Sequence, residues 1–201
     1  MNRPIAAIFC LGLTLLGCGK PTATDSSEAP TAGEQSNSDA EQPADENAAE
    51  LQLANYDTIA EFIGTQTGKV VVVDLWSTSC VPCMEEFPRL VALSNSHPED
   101  VACVSVNLDY IGLKRKPAAS YQDDVTEFLQ SQNATLTNFL ASETDEVIRD
   151  KFEITSIPAI VVYDQSGKLA ARLSEATSGD EGLSYEAHVI PLVNKLLAQQ
   201  Q

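Results

Sequence analysis

Val70-Val71-Val72-Val73-Asp74-Leu75-Trp76-Ser77-Thr78-Ser79-Cys80-Val81-Pro82-Cys83 decides how the rest of the chain folds. It opens with a continuous run of apolar, mostly β-branched side chains broken by a single carboxyl. Such a run reads as a strand buried on both faces of a sheet. After a short polar turn, Val81–Ser94 carries Phe87, Leu90, Val91 and Leu93 on a helical stripe. Cys80 therefore stands at a strand-to-helix turn, with Cys83 one helical turn further in. Unpaired N–H groups and the dipole at a helix N-terminus favour a thiolate. Sites of this kind bring a cysteine pKa from about 8.5 down towards 3.5–7.5. The spacing predicts Cys80 as the exposed nucleophile and Cys83 as the resolving thiol that attacks a mixed disulfide from inside. Pro82 suits a first helical turn, where its missing N–H would have had no partner.

Strand and helix alternate on both sides of this segment. Ile59, Phe62 and Ile63 at helical spacing predict a short helix over Tyr56–Ile63, ended between Gly64 and Gly68. Val101–Leu108 reads as a second buried strand. Helices are expected around Asp123–Gln132 and Asp145–Phe152, on either side of a short apolar stretch at Phe139-Leu140. Ala159–Tyr163 and Leu169–Ser174 read as strands joined by the hairpin-type turn Asp164-Gln165-Ser166-Gly167. Glu186–Ala198 closes the chain as an amphipathic helix. Early alternation followed by a late hairpin predicts an α/β domain in three layers, a mixed central sheet flanked by helices.

The N-terminal quarter has a different character. Arg3 precedes the mostly apolar run Ile5–Gly17, which is shorter than the about 20 residues of a spanning helix and has the length of a signal-peptide core. Lys20–Glu50 lacks aromatic and large aliphatic residues, and from Pro21 on it holds eight acids and no Lys or Arg. Such a composition cannot bury enough apolar surface to offset its ordering entropy, and its charges repel one another. We expect a spacer with an r.m.s. reach of roughly 30 Å. The domain limits that follow are 1–17 for the signal, 18–50 for the acidic linker and 51–201 for the folded part.

Charge narrows the functional classes. The chain has 29 acidic and 12 basic residues, a net −17; from Leu51 onward 21 acids face 10 bases, a net −11. That balance excludes nucleic acid, whose phosphates demand a basic face. It also argues against lying flat on an anionic lipid surface. Five cysteines are too few for a disulfide scaffold in a domain of this size. A structural zinc site is a poor fit, because Cys103, His97 and His188 are the soft ligands left and none forms a second paired motif. No cofactor or metal is expected. Cys103, inside Val101-Ala102-Cys103-Val104-Ser105-Val106, reads as a buried small hydrophobe. Lys114-Arg115-Lys116 reads as a solvated loop, the one basic cluster in an acidic domain, with docking of an acidic partner or heme propionates as its alternative.

Val73-Asp74-Leu75-Trp76, Cys80-Val81-Pro82-Cys83 and Pro88 resemble the active-site segment of the thioredoxin superfamily. Cys83-Met84-Glu85-Glu86-Phe87-Pro88, and the added segment between Asp109 and Phe139, resemble its TlpA/ResA-like extracytoplasmic branch. The resemblance covers roughly Tyr56 to Ala198 and implies a thioredoxin-like fold and thiol–disulfide exchange. It also implies a cis-proline loop at Ser156-Ile157-Pro158-Ala159 facing the cysteines, with Ile157 and Pro158 meeting substrate backbone. Asp74 matches the family's buried acid beneath the resolving cysteine, where burial raises a carboxyl pKa and suits it to exchange a proton with Cys83; otherwise it is a strand-end Asp reaching solvent. Trp76 matches a tryptophan packed beside the disulfide and counted among the substrate contacts; it also reads simply as a core aromatic, and the two readings are compatible. Ser79 departs from the tryptophan that often precedes the first cysteine, and a helix stands where many TlpA-like domains place a β-hairpin.

Leu15-Leu16-Gly17-Cys18 resembles the lipobox of bacterial lipoproteins, which implies cleavage before Cys18 and acylation of that cysteine. Two or more acyl chains give stable anchoring where one is marginal. The expected location is the cell envelope, lipid-anchored and facing the periplasm. The expected activity is reduction of protein disulfides, in cytochrome c or metal-site maturation, with electrons from a membrane-bound donor. The alternative is a thioredoxin-fold module binding copper or another soft metal through Cys80 and Cys83. A thiol peroxidase fits less well, since Thr78 stands only two residues before Cys80.

Overall fold

The computed structural model describes residues 49–179 and 182–199. The expected signal segment, Cys18 and the expected linker up to residue 48 lie outside the described residues. No helix among the described residues is long and apolar enough to cross a membrane.

Six strands form one mixed sheet in the order β1-β4-β3-β2-β5-β6. The strands are β1 (Leu51–Ala54), β2 (Val70–Trp76), β3 (Val101–Asn107), β4 (Thr137–Ala141), β5 (Ala159–Tyr163) and β6 (Leu169–Ser174). The first four run parallel; β5 is antiparallel to β2, and β6 to β5. All seven residues of β2 are buried, as expected for a strand with neighbours on both edges and helices on both faces. Its side chains alternate between two cores. Val70, Val72 and Trp76 join Cys83, Phe87, Leu90 and Tyr185 on one face, while Val71, Val73 and Leu75 join Ile59, Phe139 and Ile148 on the other.

The helices are α1 (Tyr56–Thr65), α2 (Val81–Ser96), α3 (Gln122–Ser131), α4 (Asp145–Phe152), the single turn α5 (Glu175–Ser178) and α6 (Ile190–Ala198). Asn55 caps α1 by accepting from the Thr58 N–H at 3.0 Å, so the helix starts at a side-chain acceptor. Pro88 lies inside α2 on its exposed side, and its missing N–H removes one backbone hydrogen bond from the helix.

Three local features differ from expectation. Leu51–Ala54, given no element from sequence, adds β1 to the sheet edge beside β4. Four residues with only Ala54 buried carry too little period-two signal to announce a strand. A 3-10 turn over Ala118–Tyr121 leads into α3. The closing helix begins one residue before the expected Glu186, with a π-helical turn over Tyr185–Val189 that continues as α6.

Candidate redox site

Cys80 and Cys83 form a disulfide with Cα atoms 5.3 Å apart. Cys80 is the N-cap of α2: its backbone is extended, and its Sγ accepts from the Cys83 N–H at 3.3 Å. The first sulfur thus lies where the helix presents unpaired N–H groups, which stabilise negative charge. Cys80 is half-buried, whereas Cys83 is only 3% exposed. Of the two residues, Cys80 is the one open to solvent.

The turn before the helix is held from the neighbouring strand. Asp109, two residues past the end of β3, accepts from Ser77 Oγ at 2.5 Å, from the Thr78 N–H at 2.8 Å and from Thr78 Oγ1 at 2.7 Å. The Ser79 N–H donates to Ser77 Oγ at 3.1 Å, and the Asp109 N–H donates to Asn107 Oδ1 at 3.0 Å. From sequence Asp109 marks only the start of the added segment and is not among the candidate site residues. Its position just beyond the carboxyl end of a central strand was the available signal, since open α/β sheets place their sites there.

Asp74 is 4% exposed and lies on the α2 side of β2, between Val72 and Trp76. Burial pushes its pKa up to about 7; a hydrogen bond from Tyr185 works against that rise, and the nearby Glu86 charge adds to it. The Tyr185 hydroxyl donates to Asp74 Oδ2 at 2.6 Å. Tyr185 is also absent from the sequence reading, and 111 residues separate it from its partner.

Trp76 is fully buried, its ring centroid 4.9 Å from those of both Phe87 and Phe128. It presents no surface to a substrate. As a buried aromatic it belongs to the core that contains Cys83 and against which Cys80 packs. Cys103 is buried on β3, and burial pushes its thiol pKa up to about 12.

The Ile157–Pro158 peptide is cis, with Pro158 buried and Ile157 half-buried. A groove of about 320 Å³ joins this loop to the cysteine turn, lined by Ser77, Ser79, Ile111, Arg149, Ser156 and Ile157. Val81 and Ile111 are 58% and 57% exposed, an apolar rim around the turn. Lys114 and Arg115 are exposed, while Lys116 stacks over the Tyr121 ring at 3.8 Å. Among the described residues, no group of three or more His, Cys, Asp or Glu is arranged to hold a metal ion.

Residues 68–169 match the thioredoxin-like family model. No curated protein matches the chain in sequence. Among solved structures, the chain is similar to one described as a thiol:disulfide interchange protein DsbE from Chlorobium tepidum, with a TM-score of 0.52 and 20% identity over 67% of this chain and 84% of that one. It is also similar to a thioredoxin-like protein solved in its oxidised form, with a TM-score of 0.50 and 20% identity over 65% of this chain and 79% of that one. These likenesses speak to the fold. The family match spans just over half of the chain and takes in β2, both cysteines of the disulfide and the cis-proline loop, so this chain belongs to the thioredoxin-like family.

Proposed function

We propose that the chain is an extracytoplasmic thiol–disulfide oxidoreductase that reduces protein disulfides. The observation that carries this reading is the Cys80–Cys83 pair, with one sulfur at a helix N-cap and half-buried and the other covered. In the reduced protein the Cys80 thiolate attacks one sulfur of a substrate disulfide. A Cys80–substrate bond forms, the substrate bond breaks, and the departing sulfur leaves as a thiolate. Cys83 then gives its proton to Asp74 and attacks Cys80 Sγ. The substrate's second sulfur is released with its electron pair, and two electrons have passed from the protein to the substrate. Exchange by this route is fastest when the attacking thiol's pKa is near ambient pH. The exposed apolar rim at Val81 and Ile111 suits an extended protein segment more than a small polar disulfide.

The domain limits 1–17, 18–50 and 51–201, lipid attachment at Cys18 and a periplasmic position complete the proposal. A lipobox-like Leu15-Leu16-Gly17-Cys18 and an acidic spacer support them. Outside the cytoplasm each turnover needs two electrons from a membrane donor, and reduced cysteines of an apocytochrome c or of a metal-site protein are the proposed products. Replacing Cys18 by alanine should move the chain from the membrane to the soluble fraction of the envelope; a chain that stays with the membrane refutes lipid attachment there.

The activity itself is tested by insulin reduction with dithiothreitol as donor. Wild type should precipitate insulin well ahead of the uncatalysed reaction, and Cys80→Ala should run at the uncatalysed rate. Equal rates for the two proteins would end the oxidoreductase reading.

A further inference from the structure

Tyr185 reaches the floor of the redox site from the far end of the chain. It is 1% exposed and opens the π-helical turn that leads into α6. Its hydroxyl donates to Asp74 Oδ2 on β2, and its backbone N–H donates to Glu86 Oε2 on α2 at 2.8 Å. Glu86 lies three residues beyond Cys83 on the same helix. One residue thus ties the strand that carries the buried carboxyl to the helix that carries both cysteines. We propose that Tyr185 is a positioning residue of the exchange reaction, its hydroxyl holding the Asp74 carboxylate under the active-site helix as acceptor for the Cys83 proton.

The inference rests on the oxidoreductase reading and adds a residue to it. The C-terminal segment presents the Tyr185 hydroxyl, α2 presents Glu86 and Cys83, and β3 presents Cys103. β5 presents Ile160, directly opposite Asp74. Tyr185 is the one side-chain donor to Asp74 among the described residues. Burial, and then the Asp74 charge, push the phenol's pKa well above its ordinary value. Tyr185 therefore keeps its proton through the working range and acts as a fixed donor rather than a proton carrier. A donor to the charged form of a carboxyl favours that form. Without it, Asp74 accepts the Cys83 proton only at higher pH, and the step that releases substrate slows. Glu86 acts in the opposite sense, since its charge disfavours a second carboxylate nearby.

Tyr185→Phe keeps the ring and removes only the hydroxyl. The rate of mixed-disulfide resolution is to be measured by stopped flow between pH 5.5 and 9.5, starting from reduced protein and a peptide disulfide. The proteins are wild type, Tyr185→Phe, Asp74→Asn and the double variant. In Tyr185→Phe the midpoint of the rising limb should move about one pH unit to the alkaline side, which lowers the rate at pH 7 about fivefold and at pH 9 barely. In the Asp74→Asn background the same change should have no further effect. Coincident profiles for wild type and Tyr185→Phe would overturn the proposal, as would an equal slowing at every pH or a full effect without the Asp74 carboxyl. A wild-type protein that exchanges no disulfide at all would overturn the parent reading, and this one with it.

Discussion

Cys83→Ala should stop turnover and leave Cys80 joined to its substrate in a stable mixed disulfide. The first half of the reaction needs only Cys80 at the N-cap of α2, which the substitution leaves in place. The second half needs a thiol already positioned against Cys80 Sγ. In the native chain that neighbour is bonded to it, with Cα atoms 5.3 Å apart. Well-oriented intramolecular groups reach effective molarities of about 10⁵ M or more, so an external thiol at millimolar concentration is a poor substitute. Resolution should slow by several orders of magnitude. Cys103 offers no rescue: it is buried within β3, and burial pushes its pKa up to about 12, so the attacking thiolate is scarce there. Expression of the variant in its natural host, followed by non-reducing electrophoresis and mass spectrometry, should show covalent partners that dithiothreitol releases. Recovery of the free protein alone would refute the order of attack proposed for the two cysteines.

The second large effect concerns stability. Asp74→Asn should gain stability over wild type as the pH rises, because the folded wild type holds its carboxyl at a pKa of about 7 against 3.8 for an unperturbed Asp. A carboxyl whose pKa is raised by folding leaves stability intact below the unfolded value. Stability is then lost as the pH climbs from there through the folded value, since the unfolded chain ionises first. Over that window the variant's advantage should widen by about 3–4 kcal/mol between pH 4 and pH 8. In a domain of this size each kcal/mol moves Tm by about 2–4 °C. Urea titrations of both proteins at the two pH values read the change directly, and parallel loss of stability would refute a carboxyl that ionises late. The same substitution should slow resolution, because asparagine accepts no proton. Activity and stability are opposed at this one position.

The fold was legible wherever the information was local. Val70–Trp76 announced a central strand because its seven side chains face two cores, and the helix after it showed its apolar stripe at Phe87, Leu90, Val91 and Leu93. The cysteine pair was legible for the same reason, being a short motif at a predicted boundary. β1 was not, since its four residues are a strand only by virtue of β4, where Leu51 pairs with Asn138. Tyr185 and Asp109 act through partners 111 and 31 residues away. No local pattern marks a tyrosine or an aspartate for such a meeting. Trp76 illustrates a different limit: sequence offered packing beside the disulfide and a core aromatic as compatible readings, and its burial in the core that holds Cys83 and Phe87 fits both.

The carboxylate of Asp109 fastens the Ser77-Thr78 turn to the sheet through three hydrogen bonds that involve neither cysteine. Because none of these bonds involves sulfur, opening the sulfur–sulfur bond is expected to leave this fixture in place. Closing the small ring again then demands little loss of chain freedom, because most of that ordering is already done. A dithiol arranged in advance for ring closure parts with its two electrons more readily. A serine, a threonine and one acid just beyond the end of an adjacent strand would thereby favour electron donation by this pair, the direction of exchange proposed above.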